Sequence, residues 1–204
     1  MTFPAGQPHP SPDAAARDRR ELEWLELIRT GDEQAFEALF RAYVEPLCAF
    51  AYSYVESEPA AQEIVQDLFA RLWERRDSLE VPRNVQAYLY GATRNRAINY
   101  LRNRRVETTF LQRALQIGQA RATAPRPVPP EEELNAQALA EAVERAVAEL
   151  PPRCREVFTL TRDQHLSYAE VAAVLHISPK TVEIHMGRAL ALLRDKLQSW
   201  LWQA

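Results

Sequence analysis

Between residues 125 and 130 the chain reads PRPVPP, four prolines in six positions, and no single helix or sheet runs through such a stretch. Proline has no amide hydrogen to donate and fixes its own φ, so the segment favours an extended, semi-rigid connector. It divides the 204 residues into two blocks, each long enough for a modest core of its own. Only five glycines occur, and Leu, Ala, Glu and Arg are abundant, a mixture that favours helices over strands and hairpins. No strand pattern competes anywhere. The expected fold is all-α: two small helical domains joined by a Pro-rich linker.

The first block covers residues 21–105. Asp32 is placed to cap a helix whose Phe36, Leu39, Phe40, Tyr43, Leu47, Phe50 and Tyr54 recur at helical spacing. Pro46 falls inside that stripe and is expected to kink the helix or divide it. Ser57 and Pro59 open a second helix bearing Ile64, Leu68, Leu72 and Trp73. Asp77 to Asn84 reads as a loop, and Val85 to about Arg105 as a third long helix. Residues 1–20 hold prolines at 4, 8, 10 and 12 and no apolar signal-peptide core, which reads as a disordered tail. Residues 106–130 lose clear periodicity and read as a flexible linker.

The second block, residues 131–204, opens with a helix to Leu150, and Pro151-Pro152 ends it and starts the next, with Val157, Phe158 and Leu160 inward. Ser167-Tyr168-Ala169-Glu170 is a capping box, in which serine and glutamate satisfy each other's helix-start amides. That helix runs to about Leu175, and His176 is expected to end it in a left-handed conformation. Ser178-Pro179 starts the last helix, serine as N-cap and proline at the first helical position. Two capped helices around so short a turn make a helix-turn-helix. On the second of them Val182, Met186, Ala189, Leu190, Leu193 and Leu197 share an inward face. Lys180, Thr181, Glu183, Ile184, Gly187 and Arg188 point outward, with His185 at the flank. Near a helix N-terminus, such side chains are placed to meet base edges and phosphates in a major groove.

The formal net charge of −3 argues against a general nucleic-acid coat, but the charge is segregated. From Arg83 to Arg105 there are six arginines and no acid, whereas from Glu131 to Glu149 there are six glutamates and one arginine. The basic stretch interleaves Tyr88, Tyr90 and Tyr100 with Arg94, Asn95, Arg96, Asn99 and Arg102. Arginine pairs with phosphate, aromatic faces stack on unpaired bases and asparagine reads base edges, which suits a melted single strand better than duplex. Some of these tyrosines belong to the core instead, Tyr90 or Tyr100 first among them. On the helix before, Glu63, Gln66, Asp67 and Arg71 lie opposite the apolar stripe, either as a docking face or as solvated surface.

The two cysteines, Cys48 and Cys154, form no paired motif, which fits a reducing cytoplasm. Arg153 and Arg155 flank Cys154 and would stabilise a thiolate; the plainer reading is a small residue packed near a helix start. His165, His176 and His185 match no metal-ligand spacing. No carboxylate cluster or activated nucleophile suggests catalysis, and no cofactor or metal is expected. No apolar stretch approaches the length needed to cross a bilayer, so direct membrane insertion is not expected.

Four segments, in order, resemble the extracytoplasmic-function (ECF) group of bacterial sigma-70-type RNA polymerase sigma factors. DEQAFEALFRAYVEPLCAFAYSYV looks like the first part of their region 2, and AQEIVQDLFARLW like the part that binds the clamp helices of the largest polymerase subunit. NVQAYLYGATRNRAINYLRNRR looks like the segment that melts and reads the minus-ten element. LPPRCREVFTLTRDQHLSYAEVAAVLHISPKTVEIHMGRALALLRDKL looks like region 4, which reads the minus-thirty-five element. SPKTVEIHMGRA is further similar to the subgroup tied to iron-siderophore surface signalling.

The resemblance implies that residues 21–105 are sigma region 2 and residues 131–204 region 4. It implies that Glu63, Gln66, Asp67 and Arg71 contact polymerase. Arg83, Asn84, Arg94, Asn95, Asn99 and Arg102 would handle the melted minus-ten strand. Lys180, Thr181, Glu183, Ile184, His185 and Arg188 would meet the minus-thirty-five duplex, although Glu183 and His185 stand where many members carry basic residues. Implied partners are core RNA polymerase, through its clamp helices and the flap of the second-largest subunit, promoter DNA and an anti-sigma factor. Such a protein is cytoplasmic and can be sequestered at the inner membrane by that anti-sigma factor. A regulator of the quorum-sensing type also carries SPKTVEIH, but it needs an effector or receiver domain that residues 21–105 do not suggest. An enzyme acting on nucleic acid has no supporting residue cluster.

Overall fold

The computed structural model describes the backbone of residues 12–115 and 134–198, and side chains within 16–104 and 140–198. The expected tail before residue 12 and the PRPVPP linker lie outside the described residues. Among the described residues eight helices follow one another: α1 Pro12–Arg29, α2 Glu33–Val55, α3 Glu58–Glu74, α4 Val85–Leu115, α5 Leu134–Ala148, α6 Pro152–Arg162, α7 Tyr168–Leu175 and α8 Pro179–Lys196. A 3₁₀ turn, Arg76–Ser78, lies between α3 and α4. No strand occurs among the described residues. The chain divides into two compact units, one built from α1 to α4 and the other from α5, α6, α8 and most of α7.

In the first unit α2 is the central helix, packed by α1, α3 and α4. Its start is set by Asp32, whose Oδ1 accepts the Ala35 amide at 2.9 Å, as an N-cap should. Gly31 supplies the left-handed φ of +89° that lets α1 turn into α2 within three residues. The apolar stripes meet in a core of Leu25, Ile28, Leu39, Leu47, Val65, Leu68, Leu89 and Tyr90, all at most 1% exposed. Aromatic edges add to it: Phe40 meets Phe69, and Phe50 meets Tyr90, each pair with centroids 5.0 Å apart. Such edge-to-face pairs contribute roughly 0.5–1.5 kcal/mol beyond their burial.

Of the two outcomes expected at Pro46, a kink or a division of α2, the division does not occur, since the helix is continuous through it; the ring costs one backbone hydrogen bond, and packing on three sides outweighs that. The structure departs from the sequence reading at two further places here. The helix α1 begins at Pro12, inside the stretch expected to be a tail. Proline is at home in a first turn, whose amides lack intrahelical partners. At the other end α4 runs on to Leu115, because residues 106–115 contain no glycine or proline to stop it.

In the second unit α6 packs along α8, and α5 rests on α8. Ala146, Leu150, Cys154, Ala189 and Leu193 form the shared core, with Val147, Phe158, Leu192 and Leu197 against it. Arg155 turns back from α6 and donates to the carbonyls of Ala148 and Leu150, placing a cation at the negative end of α5. Leu190, expected inward, is 37% exposed, because it falls one residue beyond the buried Ala189.

Candidate nucleic-acid interface

The short helix α7 and the long helix α8 are joined through His176, Ile177 and Ser178. The Ser167 amide donates to Glu170 Oε2 at 2.7 Å, and the Glu170 amide donates to Ser167 Oγ at 3.3 Å, which closes the capping box. His176 takes a φ of 55°, and the Ile177 amide reaches the Ala172 carbonyl at 3.0 Å. That six-to-one bond is the Schellman closure of a helix end. Ser178 Oγ then accepts the Thr181 amide at 3.1 Å, with Pro179 in the first helical position. Local chemistry therefore fixes the turn from both sides.

Val182, Met186, Ala189 and Leu193 anchor α8 inward. Of the expected duplex-facing residues, Lys180, Ile184 and Arg188 are exposed, Ile184 to 60%. Lys180 pairs with Glu183 at 2.7 Å; a contact so open to water contributes about 1 kcal/mol or less and exchanges readily for a phosphate. Thr181 and His185 are tied into the fold. The Thr181 hydroxyl bonds Ser178 Oγ at 2.8 Å, and His185 Nδ1 lies 3.9 Å from Cys154 Sγ.

Cys154 itself is 1% exposed, and burial pushes its thiol up, with Arg188 pulling weakly the other way. Neither flanking arginine serves the sulfur: Arg153 pairs with Glu156 at 2.9 Å, and Arg155 caps α5. The plainer reading of this cysteine, a small packed residue, fits its surroundings.

In the first unit α4 opens at Asn84, whose Oδ1 accepts the Ala87 amide at 2.6 Å. Asn84 thus has a capping role that sequence reasoning had not given it. Arg83, Asn95, Asn99 and Arg102 are exposed. Arg94 is not: it is 6% exposed and lies among Tyr90, Thr93 and Ala97, all buried. Residues four and three positions away share its helix face, so Tyr90 and Ala97 carry Arg94 inward with them. This corrects the expectation that Arg94 is presented to a strand.

Arg96, which belongs to the basic stretch but is not among the minus-ten residues that the resemblance implies, is presented instead. It lines a cavity of about 550 Å³ enclosed by α3, the following loop and the start of α4, together with Arg71, Arg75, Leu79, Glu80 and Tyr88. Tyr88 is 37% exposed there, while Tyr90 is wholly buried and Tyr100 half-buried. The cavity thus combines three guanidinium groups with an accessible aromatic ring. The spacing of Tyr88 and Arg96, two turns apart, was the available signal.

On the outer side of α3, Glu63, Gln66 and Arg71 are exposed and Asp67 is half-buried. Arg71 Nε donates to both Asp67 oxygens at 2.9 Å. Arg96 Nε donates to Asp67 Oδ2 at 3.1 Å from α4. The Arg71 bond, with help from Arg96, holds the Asp67 carboxyl below the usual carboxylate range. Gln66 also borders a groove of about 800 Å³ between α2 and α3, walled by Phe40, Val44, Cys48 and Tyr52. Among the described residues no group of three or more His, Cys, Asp or Glu side chains is placed to hold a metal ion. No described helix is long and apolar enough to cross a membrane.

Residues 39–107 match the family model for Sigma-70 region 2, and residues 140–193 that for Sigma-70, region 4. The RNA polymerase sigma factor CnrH of Cupriavidus metallidurans is 32% identical over 173 residues, covering 83% of this chain and 90% of CnrH. The ECF RNA polymerase sigma factor SigW of Bacillus subtilis is 23% identical over 180 residues, covering 85% of this chain and 95% of SigW. The probable RNA polymerase sigma factor RfaY of Xanthomonas campestris pv. campestris is 29% identical over 167 residues; these make up 82% of this chain but only 41% of RfaY. A solved structure of CnrH in complex with the cytosolic domain of CnrY aligns with a TM-score of 0.58 at 25% identity, covering 88% of this chain and 98% of that one. The chain belongs to the extracytoplasmic-function family of RNA polymerase sigma factors, the specificity subunits that direct the polymerase to promoters.

Proposed function

We propose that the chain is an alternative sigma factor that binds core RNA polymerase and reads two promoter elements with two separate surfaces. The observation that carries this reading is the pairing of unlike sites. One is the arginine-and-tyrosine cavity of the first unit; the other is the exposed N-terminal half of α8. The first suits an unpaired base and its phosphates, since stacking needs an open ring face and guanidinium binds phosphate. The second suits an intact major groove.

In this reading Arg83, Asn95, Asn99 and Arg102 track the melted minus-ten strand along α4, and Arg96, Arg75 and Tyr88 receive a base in the cavity. Asn84 contributes by capping α4, and Arg94 by holding the helix in its core. Lys180 and Arg188 meet phosphate or guanine of the minus-thirty-five duplex, Ile184 meets a thymine methyl, and Glu183 accepts from a cytosine amino group. Thr181 and His185 fix the helix start and its seat on α6. Glu63, Gln66, Asp67 and Arg71 dock on the clamp helices of the largest polymerase subunit, and the second unit engages the flap of the second-largest.

CnrH was solved with the cytosolic domain of CnrY, and by that likeness an anti-sigma factor holds this chain inactive. It works in the cytoplasm and is sequestered at the inner membrane when that partner is anchored there. It performs no catalysis of its own. Run-off transcription with core polymerase and a genomic promoter library tests the reading. Promoter-dependent transcripts above core alone are expected, and their absence with no anti-sigma factor present overturns it.

A further inference from the structure

Asp67 stands where two of these surfaces meet. Its carboxylate accepts from Arg71 on its own helix at 2.9 Å and from Arg96 on α4 at 3.1 Å. Both of those guanidinium groups wall the single-strand cavity. One carboxylate therefore occupies two of the three arginines on which the cavity depends. The side chains are 44% exposed for Asp67, 54% for Arg71 and 26% for Arg96. Contacts this open to water are weak and exchange readily for another anion.

The same carboxylate also faces outward. Gln66 and Asp67 stand three and four residues after Glu63, and Arg71 four after Asp67, so the four share the outer side of α3. A cationic group brought to that stripe competes with Arg71 and Arg96 for Asp67. Two effects of opposite sign are then conceivable. Asp67 either aligns the arginines for a strand, or cancels their charge and keeps the strand away. Both guanidinium groups meet Asp67 through Nε, the nitrogen nearest the stem, and a rigid aligning role demands a drier contact than this one.

We propose that Asp67 is a charge brake on the single-strand site: it neutralises Arg71 and Arg96 in the free chain and is drawn off when α3 docks on polymerase. The proposal rests on reading the cavity as the minus-ten site. Docking then raises strand affinity with no helix movement, and by linkage a bound strand strengthens docking in return. A sigma factor so built ignores stray single strands until it joins the enzyme.

The test uses the full chain without polymerase, titrated at low salt with a fluorescein-labelled oligodeoxynucleotide single strand. Asp67→Asn removes the charge and keeps the size. It is expected to bind about threefold to tenfold more tightly, the effect of one unit charge a few ångströms from a phosphate in a wet site. Its dependence of log K on log salt steepens by about 0.7, the increment for one more neutralised phosphate. Asp67→Ser carries the same expectation, and Asp67→Glu, which keeps the charge, shows no such gain. Equal or weaker binding by Asp67→Asn and Asp67→Ser, with thermal midpoints retained, overturns the proposal. Arg96→Ala separates the two levels. If it weakens strand binding while Asp67→Asn does not strengthen it, the brake alone fails. If Arg96→Ala leaves binding unchanged, the cavity is not the strand site and the reading beneath fails as well.

Discussion

The Tyr43 hydroxyl donates a 2.5 Å hydrogen bond to the Glu21 carboxylate inside the first unit, joining α2 to α1 at a point where Glu21 is 2% exposed. Arg17 lies 3.7 Å from the same carboxylate and donates to Gln86 of α4 at 3.0 Å. A polar chain thus links three helices through a region otherwise filled by Leu25, Ile28 and Leu39. Buried polar groups are tolerable when they satisfy one another, and costly once one partner is removed.

Removing the phenol should therefore destabilise the unit. Tyr43→Phe leaves the carboxyl buried without its hydroxyl donor, and the loss is expected at about 1–3 kcal/mol. Urea unfolding of the full chain, followed by tryptophan fluorescence, measures it. A change smaller than the error of extrapolation shows that Glu21 finds water instead.

The pH dependence of Glu21 has a definite sign. Burial raises its carboxyl above the ordinary 4.5, and the hydrogen bond from Tyr43 and the charge of Arg17 offset that only in part. The folded state therefore holds the proton more tightly than the unfolded chain. Its contribution to stability is fully present below pH 4.5 and is lost as pH rises through the folded value. Glu21→Gln, which cannot ionise, should unfold at a higher temperature than wild type at pH 7 and lose that advantage in acid. Parallel melting curves across the two pH values check it; a lower midpoint at pH 7 means that Arg17 attraction outweighs desolvation.

Arg94 and Arg96 carry the same side chain two residues apart and should behave oppositely. Arg94 is buried, so Arg94→Ala is expected to cost on the order of 2 kcal/mol of stability. Arg96→Ala should leave the thermal midpoint nearly unchanged and weaken opening of a minus-ten duplex by holoenzyme, read by permanganate footprinting. If both variants melt like wild type, Arg94 is not part of the core.

What could be read from the chain, and what could not, divides along local and tertiary lines. Ser167 with Glu170, Ser178 with Pro179, Asp32 and the turn at His176 are decided within four residues, and the structure has each as its spacing implies. The choice between Arg94 and Arg96 depends on which face α4 turns to its neighbours. Tyr90 settles it, but only once Tyr90 rather than Tyr100 is known to be the wholly buried ring. Pro46 left a kink or a division open because proline costs a hydrogen bond locally; the packing of α2 on three helices, which keeps it undivided, is invisible at that range. The Asp67–Arg96 pair spans 29 residues and had no local signal at all.

Cys154 offers a chemical check on the second unit. Burial raises both thiols, Cys48 as well as Cys154, so accessibility decides between them, and Cys154 is only 1% exposed. Iodoacetamide at pH 8 should label the half-buried Cys48 faster than Cys154 in the native chain, and both alike in guanidinium chloride. Peptide mass spectrometry gives both rates from one sample. Faster native labelling of Cys154 would mean that α6 and α8 separate easily.

The last helix lets fold and contact be told apart with substitutions at two positions. Ser178 accepts the Thr181 amide, so Ser178→Ala removes an N-cap and should cost about 1 kcal/mol of stability, while Ser178→Asp retains it. Arg188 is exposed on the opposite side of the helix from Met186 and Leu193 and makes no contribution to that cap. Arg188→Ala should leave unfolding unchanged and reduce minus-thirty-five-dependent transcription. It should also flatten the salt dependence of holoenzyme binding to duplex by about 0.9 if the contact is to a phosphate. A change in base preference at one promoter position, with the salt slope unaltered, assigns Arg188 to a base edge instead. Loss of stability without either change would place Arg188 in the fold and leave Lys180 and Ile184 as the groove contacts.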